Sequence, residues 1–137
     1  MVARTTTIRV RLLRRTLTAL TLAAACSRER APGSDRASPP PPPTPAAFVE
    51  GERLFGANCA SCHGRYARGT DQGPPLVDAI YKPSHHADAA FYFAAARGAV
   101  QHHWHFGNMP AQPQVSRDAM TQVIGYVRWL QREAGIE

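Results

Sequence analysis

The chain has 137 residues, of which 44% are hydrophobic and 19% charged, with a formal net charge of +6. That length supports one modest domain and excludes a multidomain enzyme, and three cysteines are too few for a disulfide-stapled mini-protein. The surplus charge argues against nucleic-acid binding, because residues 1–25 hold five arginines and no acid while residues 47–137 hold eight basic and eight acidic residues.

The N-terminus reads as an address. Residues 1–15 form an arginine-bearing n-region, and residues 16–25 (TLTALTLAAA) a short apolar run. That run is too short to span a bilayer as a stable helix, and small residues follow it, as in a secretory signal peptide. Arg14-Arg15 is read as part of the plain n-region rather than as a twin-arginine signal, since the flanking residues match poorly. Ala23, Ala24 and Ala25 precede Cys26, an arrangement that resembles a bacterial lipoprotein processing site. The resemblance implies lipid on Cys26 and a membrane anchor. The alternative is ordinary cleavage near Ala25, leaving a free thiol. Residues 27–46 contain seven prolines, five of them consecutive at 39–43, and such a stretch stays extended. As a tether of about 20 residues it reaches on the order of 60 Å at ~3 Å per residue.

Three helical segments are predicted in the domain at 47–137. The first covers about 47–58, with Phe48, Leu54 and Phe55 at one-face spacing and Gly51 offering close approach. The second, about 87–97, is almost all alanine and aromatic, so burial on more than one side is expected; Gly98 ends it. The third starts with Ser116 as N-cap and carries Met120, Val123, Ile124, Val127 and Leu130 in the i, i+3, i+4, i+7 pattern. Long Gly/Pro-punctuated loops at 64–84 and 99–115 separate them, and no run alternates like a strand. Three short helices make a thin core, and long loops in a small domain need something to organise them. A large bound cofactor meets both requirements.

Cys59-Ala60-Ser61-Cys62-His63 supplies the signal for one. C-x-x-C-H is the attachment motif of c-type haem: two thiols three residues apart each add to one vinyl group, and the next residue puts an imidazole under the iron. A zinc half-site would need a second ligand pair at short spacing, and no cysteine remains to supply it. A thioredoxin-like pair needs a βαβ context that is absent.

Over residues 47–137 the chain resembles a small class I (mono-haem) bacterial cytochrome c. The resemblance rests on Gly51 and Phe55, the CASCH motif, the loop GPPL at 73–76, Met109-Pro110, and a last helix with Tyr126 and Trp129, all in family order. It implies an all-α fold of three to four short helices wrapped around one covalent haem c, with the first and last helices crossing at Gly51. It also implies that the Pro74 carbonyl accepts from the His63 ring and that Leu76 packs on the haem. The block HHWHFGNMP at 102–110 resembles that of a subgroup of small bacterial cytochromes.

The sixth iron ligand is expected to be Met109. Met1 leaves with the signal, and Met120 sits on the apolar face of the last helix, where it reads as core. Met109 lies in Gly-Asn-Met-Pro, a loop stiffened by proline. His102, His103 and His105 compete for the position. Met/His ligation raises the haem potential and suits electron transfer.

His85, His86, His102, His103 and His105 exceed what a generic cytochrome c needs. Together with Trp104 they are read as donors to haem propionates, as a helix cap, or as solvated residues. They are alternatively read as ligands of a second metal, copper or zinc, or as a partner-docking patch. The function expected is therefore electron transfer: an exported, periplasmic carrier tethered to the membrane by lipid, with a redox protein as donor and another as acceptor, and not an enzyme by itself. Two alternatives stand beside it. One is a metal-handling redox module with histidine-bound copper. The other is a peroxidase-like haem enzyme with His105 as distal acid–base group.

Overall fold

A computed structural model describes residues 39–137. The expected leader at 1–25, Cys26 and the tether before Pro39 lie outside the described residues. The start of the proline run touches the domain, with the Arg68 guanidinium donating to the Pro39 carbonyl.

A 3-10 turn, Ala46–Phe48, leads into helix α1, Val49–Asn58. Its acids Glu50 and Glu52 lie in the first turn, where the helix dipole favours negative charge. At Cys59 the backbone breaks from helical geometry, and α2, Ala60–His63, follows at once. Helix α3 spans Asp88–Arg97 and α4 spans Arg117–Glu133. The described residues form no strand, and one isolated antiparallel bridge pairs Ala99 with Met109. This is the all-α architecture that the helical periodicities imply.

Helix α4 carries the core. Ser116 caps it as expected, its hydroxyl oxygen accepting from the Ala119 N–H at 3.1 Å. Met120, Val123, Ile124, Tyr126, Val127, Trp129 and Leu130 on this one helix are seven of the twelve buried hydrophobic residues among those described. Helix α1 lies across it at Gly51. A Cβ there would fall 2.8 Å from the Tyr126 Cβ and collide with the Gln122 carbonyl oxygen. The crossing brings the Phe55 and Tyr126 rings to 5.7 Å, and Phe48 stacks on Trp129 at 6.0 Å.

Helix α3 departs from expectation. Only Phe91 and Ala95 are buried, and Phe93 is 56% exposed. The helix packs on α4 along one side and presents Ala90, Phe93 and Ala94 to a cavity. Its Ala/aromatic composition marks neither face as polar, so hydropathy alone overstated its burial.

The long loops are held by specific backbone geometry. Tyr66 and Ala67 adopt positive φ of 58° and 56°, which is strained for residues with a Cβ. The Ala67 carbonyl then accepts from both Leu76 (2.8 Å) and Val77 (3.1 Å), fixing the GPPL segment. Gly98, at φ 79°, ends α3 and passes 2.5 Å (as measured from a Cβ built there) from the Met109 carbonyl oxygen.

Two glycine substitutions on α1 test the crossing. Gly51→Ala must push α1 from α4 and is expected to cost about 1–3 kcal/mol. Gly56→Ala meets nothing within 4 Å and is expected to be neutral or stabilising by up to about 1 kcal/mol. Guanidinium chloride midpoints of the two variants read the difference.

Candidate functional site

One cavity of about 470 Å³ lies among α1, α3, α4 and the loops, within the size range of sites for large organic cofactors. Cys59, His63, Pro74, Leu76 and Met109 all line it, as do His86, His102, His103 and Trp104. Phe55, Phe91, Val115, Met120 and Val123 make much of its wall apolar. Exposed Cys62, His85 and His105 are not among the lining residues. Met120 serves both surfaces, since it belongs to the core of α4 and also reaches the cavity.

His63 is buried at the end of α2. Its Nδ1 lies 2.9 Å from the Pro74 carbonyl oxygen. A carbonyl only accepts, so the proton sits on Nδ1 and the Nε2 lone pair is left free. A carbonyl partner of this kind orients metal-ligating imidazoles. Burial lowers the His63 pKa, with the Pro74 bond opposing, which favours the neutral ring a metal requires.

Cys59 and Cys62 flank one turn of helix and are not bonded to each other. Burial, and then the neighbouring Cys62, push the Cys59 thiol up to about 11. A thiol held in its protonated form is the opposite of what a thioredoxin-like nucleophile or a thiolate zinc site needs. Attachment to a vinyl group, which consumes the thiol proton, is compatible with it.

Met109 is fixed by its backbone. Its N–H donates to Ala99 O at 2.9 Å, and its carbonyl accepts from Ala99 N–H at 3.0 Å. Gly98 makes this pairing possible, because a side chain at that position would collide with the Met109 carbonyl. Trp104 holds a buried indole N–H that closes no hydrogen bond of normal geometry. The nearby Tyr81 phenol is raised by burial and only partly lowered by that N–H. An orphaned donor on the cavity wall fits an anionic acceptor.

Two residues absent from the sequence reading organise the site. Arg128, on α4, is 8% exposed. It donates to Asp88 Oδ1 (2.8 Å), the Tyr81 carbonyl (2.7 Å), the His86 carbonyl (2.5 Å) and Gln131 Oε1 (2.7 Å). Gln131, 1% exposed, donates to the Leu76 and Tyr81 carbonyls at 2.8 and 3.1 Å. Their only sequence signal is polarity at i, i+3 beside an apolar stripe, which ordinarily marks a solvated face.

A family model for cytochrome c matches residues 48–131. The chain belongs to the cytochrome c family. This cytochrome is similar to the cbb3-type cytochrome c oxidase subunit CcoP of Rhodobacter capsulatus, with 34% identity over 85 residues, 58% of this chain and 28% of that protein. It is also similar to the CcoP subunit of Rubrivivax gelatinosus, with 56% identity over 34 residues, 25% of this chain and 11% of that protein. The chain thus spans less than a third of the length of the curated relatives it matches. No solved structure matches it. Membership implies covalently bound haem c and a role in electron transfer. The residues present fit that group: a cavity of adequate size, Cys59 and His63 of the C-x-x-C-H motif on its wall, an oriented imidazole, and a buried donor suited to a carboxylate. No helix among the described residues is long and apolar enough to cross a membrane.

Replacing Arg128 tests the network. Arg128→Met leaves the buried Tyr81 and His86 carbonyls with fewer donors and is expected to cost about 2–4 kcal/mol in guanidinium chloride unfolding of the ferric protein.

Proposed function

We propose that this cytochrome is a mono-haem electron carrier working at the outer face of a bacterial membrane, in the periplasm, held there by lipid on Cys26. Cys59 and Cys62 would hold the haem covalently, and His63 and Met109 would supply nitrogen and sulfur to its iron. The observation that carries this reading is the shared cavity wall of Cys59, His63 and Met109, with His63 Nδ1 tied to the Pro74 carbonyl. When bound, the haem supplies a one-electron ferrous–ferric couple.

The chain's own residues tune and position. Pro74 fixes the ring plane and the basicity of His63. Leu76, Phe91 and Val123 exclude water from the cavity, which keeps the local dielectric low. The neutral thioether of Met109 stabilises the ferrous state relative to a harder ligand. Trp104 Nε1 would serve as a donor to a haem carboxylate. Phe93 and Val100 line the cavity yet are 56% and 73% exposed, so its edge opens beside an apolar surface where a redox partner can approach closely. The relatives named above are subunits of a cytochrome c oxidase, and we assign this chain a partner of that kind: a respiratory complex that exchanges single electrons with it. The peroxidase-like alternative is disfavoured, because His105 is exposed and does not line the cavity.

Two methionine variants test the ligation. Met109→Ala is expected to lower the haem potential markedly and to open the iron to azide, seen as new absorption bands. Met120→Ala is expected to cost roughly 2–5 kcal/mol of stability and to leave the spectrum nearly unchanged. A native low-spin spectrum and potential in Met109→Ala, with both lost in Met120→Ala, would reverse the assignment.

Anchoring is tested by fractionation. Cys26→Ala is expected to move the protein from the membrane to the soluble exported fraction, since a short apolar leader cannot hold the protein once cleaved. Soluble wild-type protein with another mature N-terminus would remove the lipid from the reading.

A further inference from the structure

Four imidazoles outside the C-x-x-C-H motif pack on one another. Ring centroids are 4.7 Å apart for His85–His86, 5.1 Å for His85–His103, 5.1 Å for His86–His103, 5.8 Å for His86–His102 and 4.3 Å for His102–His103. His85 and His86 precede α3, and His102 and His103 follow it. The ten residues of α3 rise about 15 Å. The turn at Gly98 sends the chain back, and four extended residues at ~3.3 Å each cover most of that distance. The fold therefore brings two sequence-distant pairs to one place.

The hydrogen bonds on this cluster fix where its lone pairs point. Nδ1 of His85 and Nδ1 of His86 each lie 2.7 Å from the Ile80 carbonyl oxygen, and Nδ1 of His102 lies 2.8 Å from the Val100 carbonyl oxygen. The His85 and His86 nitrogens are 3.1 Å apart because both converge on one oxygen that has two lone pairs. Carbonyls only accept, so these three rings carry their proton on Nδ1 and a lone pair on Nε2. Backbone carbonyls on the far nitrogen are the usual outer partners of metal-bound histidines. Nε2 of His86 then faces Nε2 of His102 at 3.5 Å, with two lone pairs and no proton between them. A tetrahedral ion with bonds of ~2.0–2.1 Å holds neighbouring ligand nitrogens ~3.3–3.4 Å apart. His85, His86 and His103 each offer a nitrogen within 4.8 Å of the others. The side-chain ion pairs Arg53–Glu50 and Arg128–Asp88 involve none of these rings.

We propose that His85, His86, His102 and His103 bind one divalent transition ion of imidazole preference, zinc(II) or copper(II), at the edge of the haem cavity. Neutral imidazoles without a carboxylate suit zinc and copper rather than magnesium or calcium. Arg128 serves the site indirectly, by holding the His86 carbonyl from below.

The test uses full-length ferric holoprotein stripped of loose metal with a chelator. Zinc(II) titrated in by calorimetry is expected to bind at one equivalent per chain. Copper(II) bound in its place is expected to show nitrogen splittings from at least three imidazoles in its electron paramagnetic resonance spectrum. His86→Ala, and separately His103→Ala, whose ring is exposed, are each expected to weaken zinc binding at least about tenfold, while His105→Ala leaves it unchanged. The haem absorption spectrum of every variant serves as the check on folding and is independent of zinc. Absence of stoichiometric zinc binding, or binding unchanged in both His86→Ala and His103→Ala, would overturn the site while leaving the electron-carrier reading intact.

Discussion

The buried guanidinium of Arg128 is the constraint on which the cavity's outer wall depends. It lies under the loop at 77–87 and donates to two of its carbonyls, to Asp88 at the start of α3, and to Gln131 one turn along its own helix. A buried charge is costly unless its hydrogen-bonding capacity is met. Here partners from the loop, α3 and α4 meet it, and the Phe91 ring lies 4.8 Å from its Cζ. Gln131 does the same for Leu76 and Tyr81. The loop, which also packs Val77 and Tyr81 on the core, thereby takes one position, and Leu76 and His86 take theirs with it.

The opposite wall follows a different logic. Helices α1 and α4 meet without a side chain at Gly51, and this close approach orients the end of α1. Cys59 interrupts the helix, and α2 resumes for a single turn, so the thiols and His63 leave the helix pair as one rigid group. Each element of the site thus hangs on α4: the C-x-x-C-H turn through the Gly51 crossing, the GPPL segment through Gln131, and the histidine loop through Arg128. Met109 is the exception. It is held by the bridge to Ala99 and through it by the end of α3, which makes it the ligand candidate least coupled to the core.

These different means of support explain what was legible in the sequence. Helix α4 was legible because its apolar period is strict and Ser116 announces its start. The cysteines and His63 were legible because covalent chemistry demands an invariant spacing. The burial of α3 was misjudged, since an Ala/Phe/Tyr run has no polar face to point outward, and only the cavity decides which ring faces it. Arg128 and Gln131 were not legible at all. A buried arginine has the same letter as a solvated one, and its partners here are backbone carbonyls at 76–86 that carry no side-chain signal. The histidine cluster was half legible. Each pair stood out in the chain, but their meeting depends on the length of α3 and on the reversal at Gly98.

The distribution of burial also bears on how folding and haem attachment are ordered. Among the described residues, seven of the twelve buried hydrophobics belong to α4, and Phe55 from α1 joins them. The α1–α4 pair is thus the part of the domain with a core of its own. Helix α3 adds only Phe91 and Ala95, and the loop carrying His102 to Met109 adds no buried hydrophobic residue. Their apolar contacts are largely with the cavity wall. For a family whose members carry covalent haem, the consequence is directional. The C-x-x-C-H turn adjoins the half that holds most of the buried apolar residues. The Met109 side belongs to the half whose stability is linked to what the cavity binds. Local opening should therefore start at 99–115 and leave the His63 side standing. That ordering suits the electron-carrier reading proposed above, in which Cys59, Cys62 and His63 would hold the cofactor and Met109 would complete the site.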